Sequence, residues 1–103
     1  MASLAIADLT EREWQAQVVT LARTLGWATY HTFDSRRSQP GMPDLILVRD
    51  RVLFAELKRE SGRLSAAQEE WLARLRAAGA EVYVWRPSHL TTVGAVLSRR
   101  GAA

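Results

Sequence analysis

The sequence predicts an α/β domain in which helices flank a small mixed sheet, with the elements in the order α-β-β-β-α-β-α. Three observations carry this prediction. Apolar residues recur at helical spacing in three segments, and each segment begins at a Ser or Thr that can cap a helix. Short runs rich in Val, Leu, Ile and aromatic residues separate these segments, as strands do. Two such runs, 45–48 and 52–57, flank a polar turn and indicate a β-hairpin.

The size and composition of the chain are those of one folded domain. Its 103 residues are expected to form a single unit, with residues 1–9 and 98–103 peripheral. Apolar residues make up 48% and charged residues 24%, which is typical of a globular protein. The absence of cysteine excludes disulfides, thiolate zinc sites and a cysteine nucleophile. No segment approaches the ~20 apolar residues of a membrane span, so we expect a soluble, cytoplasmic protein without membrane partners.

The first helix is expected at residues 11–25. Thr10 begins a capping-box pattern at its start, and Gly26 follows its last residue. The apolar stripe that should pack on the sheet comprises Trp14, Val18, Leu21, Ala22 and Leu25. Glu11 and Gln15 lie beside this stripe, so that either could reach the edge of the sheet or could be an ordinary polar flank.

The first strand and the loop after it are expected at residues 27–33 and 34–43. The strand is aromatic and β-branched, whereas the loop is rich in Gly, Pro, Ser and Asp. Arg36 and Arg37 in this loop could grip phosphates through bidentate hydrogen bonds, or could belong to a solvated surface.

The hairpin brings two acids into conflict. With its turn centred on Asp50, Asp44 lies directly opposite Glu56, and Glu56 and Lys58 point to one side. Opposed side chains have Cβ atoms about 4.5–5.5 Å apart, and like charges there are destabilising. A divalent cation would relieve the conflict. Mg²⁺ is usually held by one or two carboxylates plus waters and phosphate oxygens, so the hairpin predicts half of a Mg²⁺ or Mn²⁺ site.

The basic residues give a second indication. Fourteen basic and eleven acidic residues give a net charge of +3, which suits an anionic partner without demonstrating one. Thirteen of the bases are Arg, and Lys58 is the single lysine. Because lysine is a compact point charge whose pKa shifts readily on desolvation, its place beside the acid pair is explained either by a chemical demand for an ammonium or by chance.

A second capping box, Ser65 with Gln68, predicts helix two at residues 66–78, before Gly79. Its apolar stripe comprises Trp71, Leu72, Leu75 and Ala78. Gln68 extends this stripe by one turn and should face the sheet near Glu56. The amide is therefore either a helix cap or a group aimed at the acid pair, and both readings stay open.

The fourth strand is expected at residues 81–86, closed by Pro87, so that helix two crosses between strands three and four. Ser88 can cap a short last helix, whose apolar residues are Leu90, Val93, Val96 and Leu97. Arg99 and Arg100 are expected to fray.

This constellation suits phosphodiester hydrolysis. A metal bridging Asp44 and Glu56, with the backbone carbonyl of Leu57 available, would neutralise developing charge and lower the pKa of a bound water. Lys58 would orient or stabilise the nucleophile, and Gln68 could position the water or the lysine. Helix one could add a ligand, directly or through water.

Three motifs together resemble the PD-(D/E)xK nuclease superfamily, and within it the VRR-NUC family. They are Gly41-x-Pro43-Asp44 opening the hairpin, Glu56-Leu-Lys58 on its second strand, and Leu64-Ser65-x-x-Gln68 at the start of helix two. The resemblance extends from helix one to Arg86-Pro87 at the end of the fourth strand. It implies a restriction-endonuclease-like core.

By this resemblance the catalytic residues would be Asp44, Glu56, Lys58 and Gln68. The helix-one position, often Glu or Gln in the family, falls on Gln15, and Glu11 competes with it as an acid. Stand-alone members look like homodimeric DNA endonucleases, some similar to resolvases of four-way (Holliday) junctions. A homodimer also makes physical sense, because cutting two strands calls for two sites related by a two-fold axis.

Two readings compete with a metal-dependent endonuclease. One is a catalytically silent module that binds nucleic acid through its arginines, with salt-sensitive and metal-independent affinity. The other is a structural domain with the acids at solvated strand ends, which would show neither binding nor metal dependence.

Overall fold

A computed structural model describes residues 6–31 and 39–101 and confirms the predicted fold class and element order. The elements are α1 (Glu11–Thr24), β1 (Ala28–His31), β2 (Leu45–Val48), β3 (Val52–Leu57), α2 (Ala66–Ala77), β4 (Glu81–Trp85) and α3 (Leu90–Ser98), with 3-10 turns at Ile6–Asp8 and Pro87–His89. The two long helices end one residue earlier than predicted, at the capping residues Leu25 and Ala78. The predicted first strand extends beyond the described residues, as does much of the loop after it.

The four strands form one mixed sheet in the order β1-β2-β3-β4. The pairs β1–β2 and β2–β3 are antiparallel, whereas β3 and β4, which α2 connects, are parallel. Within the hairpin, Leu45 pairs with Ala55 and Val48 with Val52. Continuing this register by one residue sets Asp44 opposite Glu56, as the turn position predicted.

The hydrophobic core lies between one face of the sheet and the helices α1 and α3. Alternate side chains of the strands point to this face, where they meet the apolar stripe of α1. The buried core residues are Trp14, Val18, Ala22, Trp27, Leu45, Leu47, Leu53, Ala55, Leu57, Trp85, Val93, Val96 and Leu97. Helix α2 packs on the opposite face, beside β4, and buries Leu72 there.

Helix α2 departs from the predicted stripe. Leu72 is buried and Leu75 is half-buried, as expected, but Trp71 is only half-buried and Ala78 is exposed. Neighbouring residues of a helix lie about 100° apart around its axis, so Trp71 and Leu72 cannot both point at the sheet. Leu72 takes this position, and Trp71 lies on the flank of the helix.

The end of the chain is joined to distant elements. The prediction that Ser88 caps the last helix is wrong: its hydroxyl donates to Glu60 Oε2 at 2.8 Å, and a 3-10 turn precedes α3. The expectation that Arg99 frays is also wrong, because its carbonyl accepts a hydrogen bond from Arg49 Nη2 at 2.8 Å. Among the described residues, no helix combines the length and apolar character needed to cross a membrane.

Candidate functional site

Asp44 lies at the open end of the hairpin, immediately before β2. Its Oδ2 accepts a hydrogen bond from the backbone N–H of Leu57 at 3.0 Å, which ties the two strands together at this end. The preceding loop reaches Asp44 by passing closely over α2. Gly41 has a φ of +95°, and a side chain there would clash with the carbonyl of Ala67. Glycine is therefore required for the approach that positions Asp44.

Glu56 is 1% exposed and faces the α2 side of the sheet. The pKa of Glu56 is raised to about 9, first by burial and then by a hydrogen bond from its protonated form to Asp44 and by the negative charge of Asp44, while Lys58 opposes the shift. As a carboxylate, Glu56 leaves its buried Oε1 without a hydrogen-bond partner. The conflict expected from the register is therefore present.

Gln68 is both a helix cap and a group aimed at the acid pair, the two roles that the sequence left open. Its Oε1 accepts a hydrogen bond from the backbone N–H of Ser65 at 2.8 Å, and its own backbone N–H donates to Ser65 Oγ at 3.1 Å. The same side chain donates from Nε2 to Glu56 Oε2 at 3.3 Å. The capping box thus fixes the amide that orients Glu56.

Lys58 follows the last residue of β3 and approaches the first residue of α1, and its charge lowers the pKa of Glu56. Its Nζ lies 3.9 Å from Glu11 Oε1, and its side chain is 14% exposed. Partial burial raises the pKa of Glu11 above its ordinary value, the charge of Asp44 raises it further, and Lys58 opposes this. Of the two competing helix-one residues, Glu11 is therefore the one that interacts with the acids and the lysine. Gln15, one turn further along, is half-buried.

The turn after Lys58 is held by Arg86, a residue that sequence reasoning named only as part of a strand ending. Its Nη1 donates to three backbone carbonyls of this turn, those of Arg59 (3.0 Å), Glu60 (3.3 Å) and Gly62 (2.6 Å). The N–H of Lys58 also donates to the carbonyl of Trp85 at 3.1 Å, one residue before Arg86. The end of β4 therefore fixes the backbone that carries the lysine. The contacts of Arg86 join residues far apart in the chain, so the spacing of residues in the sequence does not predict them.

The groups at the open end fit a partly hydrated divalent cation better than a closed metal cage. Within residues 6–31 and 39–101, no group of three or more His, Cys, Asp or Glu side chains is arranged to hold a metal. The carboxylates of Asp44 and Glu56, the second with a buried oxygen that has no hydrogen-bond partner, are nevertheless the hard oxygen donors that Mg²⁺ takes together with water. Arg36 and Arg37, predicted to contact phosphates, lie outside the described residues.

An acid before the hairpin, Glu-x-Lys on its second strand and the glutamine of the following helix are together the pattern of a PD-(D/E)xK nuclease. The sequence model of the VRR-NUC domain matches residues 4–88, most of the chain. The chain belongs to the VRR-NUC family, and is therefore a nuclease whose family membership implies a DNA substrate.

Solved structures agree on the fold. One, a VRR_NUC domain protein, superimposes with a TM-score of 0.70 at 23% identity over 86% of this chain and 85% of that chain. Another, a VRR_NUC domain, gives a TM-score of 0.62 at 22% identity over 82% and 95%. Among curated proteins, no sequence matches the chain.

Proposed function

We propose that the chain is a Mg²⁺- or Mn²⁺-dependent DNA endonuclease that hydrolyses phosphodiester bonds at the open end of the hairpin. The observation that carries this proposal is the buried Glu56, which faces Asp44 with one oxygen unpartnered. Burying an ionised acid beside another acid is costly unless a counter-charge is bound. A divalent cation supplies that charge.

In this mechanism Asp44, Glu56 and the carbonyl of Leu57 would hold the cation. The cation would lower the pKa of an attacking water and neutralise charge on the phosphate. The hydrogen bond from Gln68 fixes Glu56 so that its other oxygen is free for binding. Lys58 orients the attacking water and stabilises negative charge through its ammonium, which Glu11 holds in place from helix one.

Cleavage assays on linear duplex, forked duplex and four-way-junction DNA test this proposal. We expect cutting in Mg²⁺ or Mn²⁺ and none in EDTA, and we expect Asp44→Ala and Lys58→Ala to abolish it. Glu69→Ala and Arg76→Ala serve as controls, because both residues are exposed on α2. Undiminished cutting by either site variant would falsify the proposal. Salt-sensitive binding without any cleavage would instead identify a binding module.

The enzyme is further proposed to act as a homodimer on branched DNA such as four-way junctions. One chain supplies one acid pair, whereas two strands need two sites related by a two-fold axis. The sheet face that carries Glu56 also carries exposed apolar side chains, namely Tyr30 (63%), Val48 (42%) and Val52 (48%). A second copy is the partner that this uncharged patch suits, since the patch is complementary to itself. A stable dimer buries about 800 Å² per partner, which would include the polar rim of the patch.

Light scattering on the purified chain measures its oligomeric state directly. We expect a mass of two chains, and a mass of one chain for Val48→Glu, because like charges would meet across the two-fold axis. Glu69→Ala is the matched control. A monomeric parent chain, or a dimeric Val48→Glu, contradicts the assignment.

A further inference from the structure

Trp71 is a half-buried tryptophan one helical turn after Gln68. The other three tryptophans are buried: Trp14 is 0%, Trp27 3% and Trp85 2% exposed. Trp71 lies on the flank of α2 against the loop that leads to Asp44, where a side chain at Gly41 would come within 2.8 Å of its Cδ1. The core therefore does not account for this large aromatic residue.

A pocket of about 430 Å³ opens beside this indole. It is lined by Gln39, Pro40, Ala67, Glu70, Trp71 and Arg74. Its volume is at the small end of the range of ligand pockets, about 300–1,000 Å³, which suits a single flat group. One wall is the loop that carries Asp44, and the other is the helix that carries Gln68. The pocket is therefore formed by the two elements that position Asp44 and Gln68, and neither acid of the pair lines it.

The chemistry of the walls favours a nucleobase over a phosphate. Pro40, Ala67 and the indole are apolar. The two charged residues cancel, because Arg74 Nη2 pairs with Glu70 Oε1 at 2.8 Å. A phosphate would require unpaired positive charge, and the carboxylate at this rim would repel it. A neutral base can stack on the indole while its polar edge meets the amide of Gln39, which can both donate and accept hydrogen bonds.

We propose that this Trp71 pocket takes one unpaired base of the cleaved strand, stacked on Trp71, next to the scissile phosphate. The inference rests on the proposed DNA cleavage and names its substrate class. A base inside a duplex is covered by its neighbours, so stacking on the indole requires a nucleotide that is already unpaired or easily opened. The substrate is therefore DNA whose nucleotide at the cut is unpaired, as at a fork, or easily opened, as at the branch point of a junction.

Tryptophan fluorescence tests binding without requiring cleavage, because Trp71 is the tryptophan accessible to a stacked base. In EDTA, we expect a forked DNA to quench the emission and a blunt duplex of equal length to quench it far less. Trp71→Phe should remove the quenching, whereas Trp27→Phe, a change at a buried position at the turn end of the hairpin, should retain it. Equal quenching by duplex and fork, or quenching that survives in Trp71→Phe, overturns the inference.

Cleavage of forked DNA that carries one abasic nucleotide near the cut distinguishes stacking on Trp71 from a structural role of Trp71. Base–aromatic stacking predicts a loss of about 5- to 100-fold in kcat/KM when the contacted base is removed near the cut. Trp71→Leu, which keeps an apolar side chain against the loop, should show the same loss on intact forks and no further loss on the abasic substrate. Equal losses on every substrate would mean that Trp71 only supports the loop, and would overturn the inference. If forks are cleaved equally well by the parent chain and by Trp71→Leu, the inference is overturned while the proposed nuclease activity stands. If quenching depends on Trp71 but no metal supports cleavage, the pocket is supported and the proposed nuclease activity is refuted.

Discussion

The two ends of the hairpin treat charge in opposite ways. At the turn end, Arg49 donates from Nη1 to the carbonyls of Leu25 (3.1 Å) and Leu97 (2.9 Å), and Arg51 Nε donates to Glu81 Oε1 at 2.9 Å. At the open end, Glu56 is buried against Asp44 with one oxygen unpartnered. The charged groups at the turn end of these two strands are therefore paired, whereas the open end keeps a buried acid with an unpaired oxygen.

The turn end is arranged for stability. Its two guanidiniums lie over the ring of Trp27, at 4.5 Å for Arg49 and 5.0 Å for Arg51, and they donate to carbonyls at the C-terminal ends of α1 and α3. Cations are favourable at helix C-termini, where unpaired carbonyls carry partial negative charge. The open end does the reverse, because it buries one acid beside another, which opposes the ionisation of Glu56. Such an arrangement is typical of a site that binds something.

The largest expected effect comes from Glu56→Gln. We expect cleavage to fall by about 10³-fold, because a neutral amide is a poor ligand for a divalent cation. The folded state should become more stable in EDTA at pH 8, because the glutamine is neutral without a proton, whereas the folded parent must keep a proton on Glu56 that its unfolded state gives up. Activity assays and thermal unfolding of the same preparation measure both. Lower stability together with lower activity would mean that Glu56 is a structural residue.

The pH dependence of stability sharpens this prediction. The pKa of Glu56 is raised from 4.5 to about 9 in the folded state, so the folded state binds this proton more tightly than the unfolded state. Its contribution is fully present below about pH 4.5 and is lost as the pH rises towards 9. We therefore expect the melting temperatures of the parent chain and Glu56→Gln, measured without metal, to diverge from pH 5 to pH 9. A constant difference across this range contradicts the assignment of the shift to Glu56.

At the turn end, Arg49→Met should act on stability alone. The methionine keeps an apolar stem on Trp27 but removes the donors to two helix ends, which costs about 2–3 kcal/mol in the free energy of unfolding. Cleavage per folded molecule should not change. Denaturant unfolding measures the loss, with the exposed Arg76→Met as a control expected within about 0.5 kcal/mol. Loss of activity in stable Arg49→Met protein would show that the two ends are coupled.

The smallest expected effect separates the two roles of Gln68. Gln68→Ala and Ser65→Ala should each lower the stability by about 1 kcal/mol, because each breaks the capping box. Gln68→Ala alone removes the hydrogen bond to Glu56, so it alone should lower kcat/KM, by about 10-fold. Equal cleavage by the two variants would show that Gln68 acts only as a helix cap and has no role in cleavage.

The sequence predicted the open end because its determinants are local. The turn centre sets the register of Asp44 and Glu56, strand alternation puts Lys58 on the side of Glu56, and a capping box sets Gln68. The turn end could not be predicted, because Arg49 and Arg51 bind carbonyls that are 24 to 50 residues away. Hydrophobic periodicity describes faces of elements and does not say which distant backbone groups they will meet.

Trp71 and Ser88 show the same limit at the level of single residues. The helical pattern groups Trp71 with Leu72, but only packing decides which of the two points at the sheet. A serine after a strand can cap a helix, and the sequence does not reveal that Glu60 competes for its hydroxyl. The sequence pattern therefore predicted the helices and strands better than it predicted the contacts that individual side chains make.

Binding of Mn²⁺, followed by calorimetry at pH 8 on the parent chain, Asp44→Asn and Arg49→Met, tests the comparison of the two ends most directly. We predict that Mn²⁺ binds to the parent chain and to Arg49→Met with similar affinity, and that Asp44→Asn does not bind it. A parent chain that binds no Mn²⁺, or an Asp44→Asn variant that binds it as well as the parent does, would contradict the assignment of the open end as a metal site.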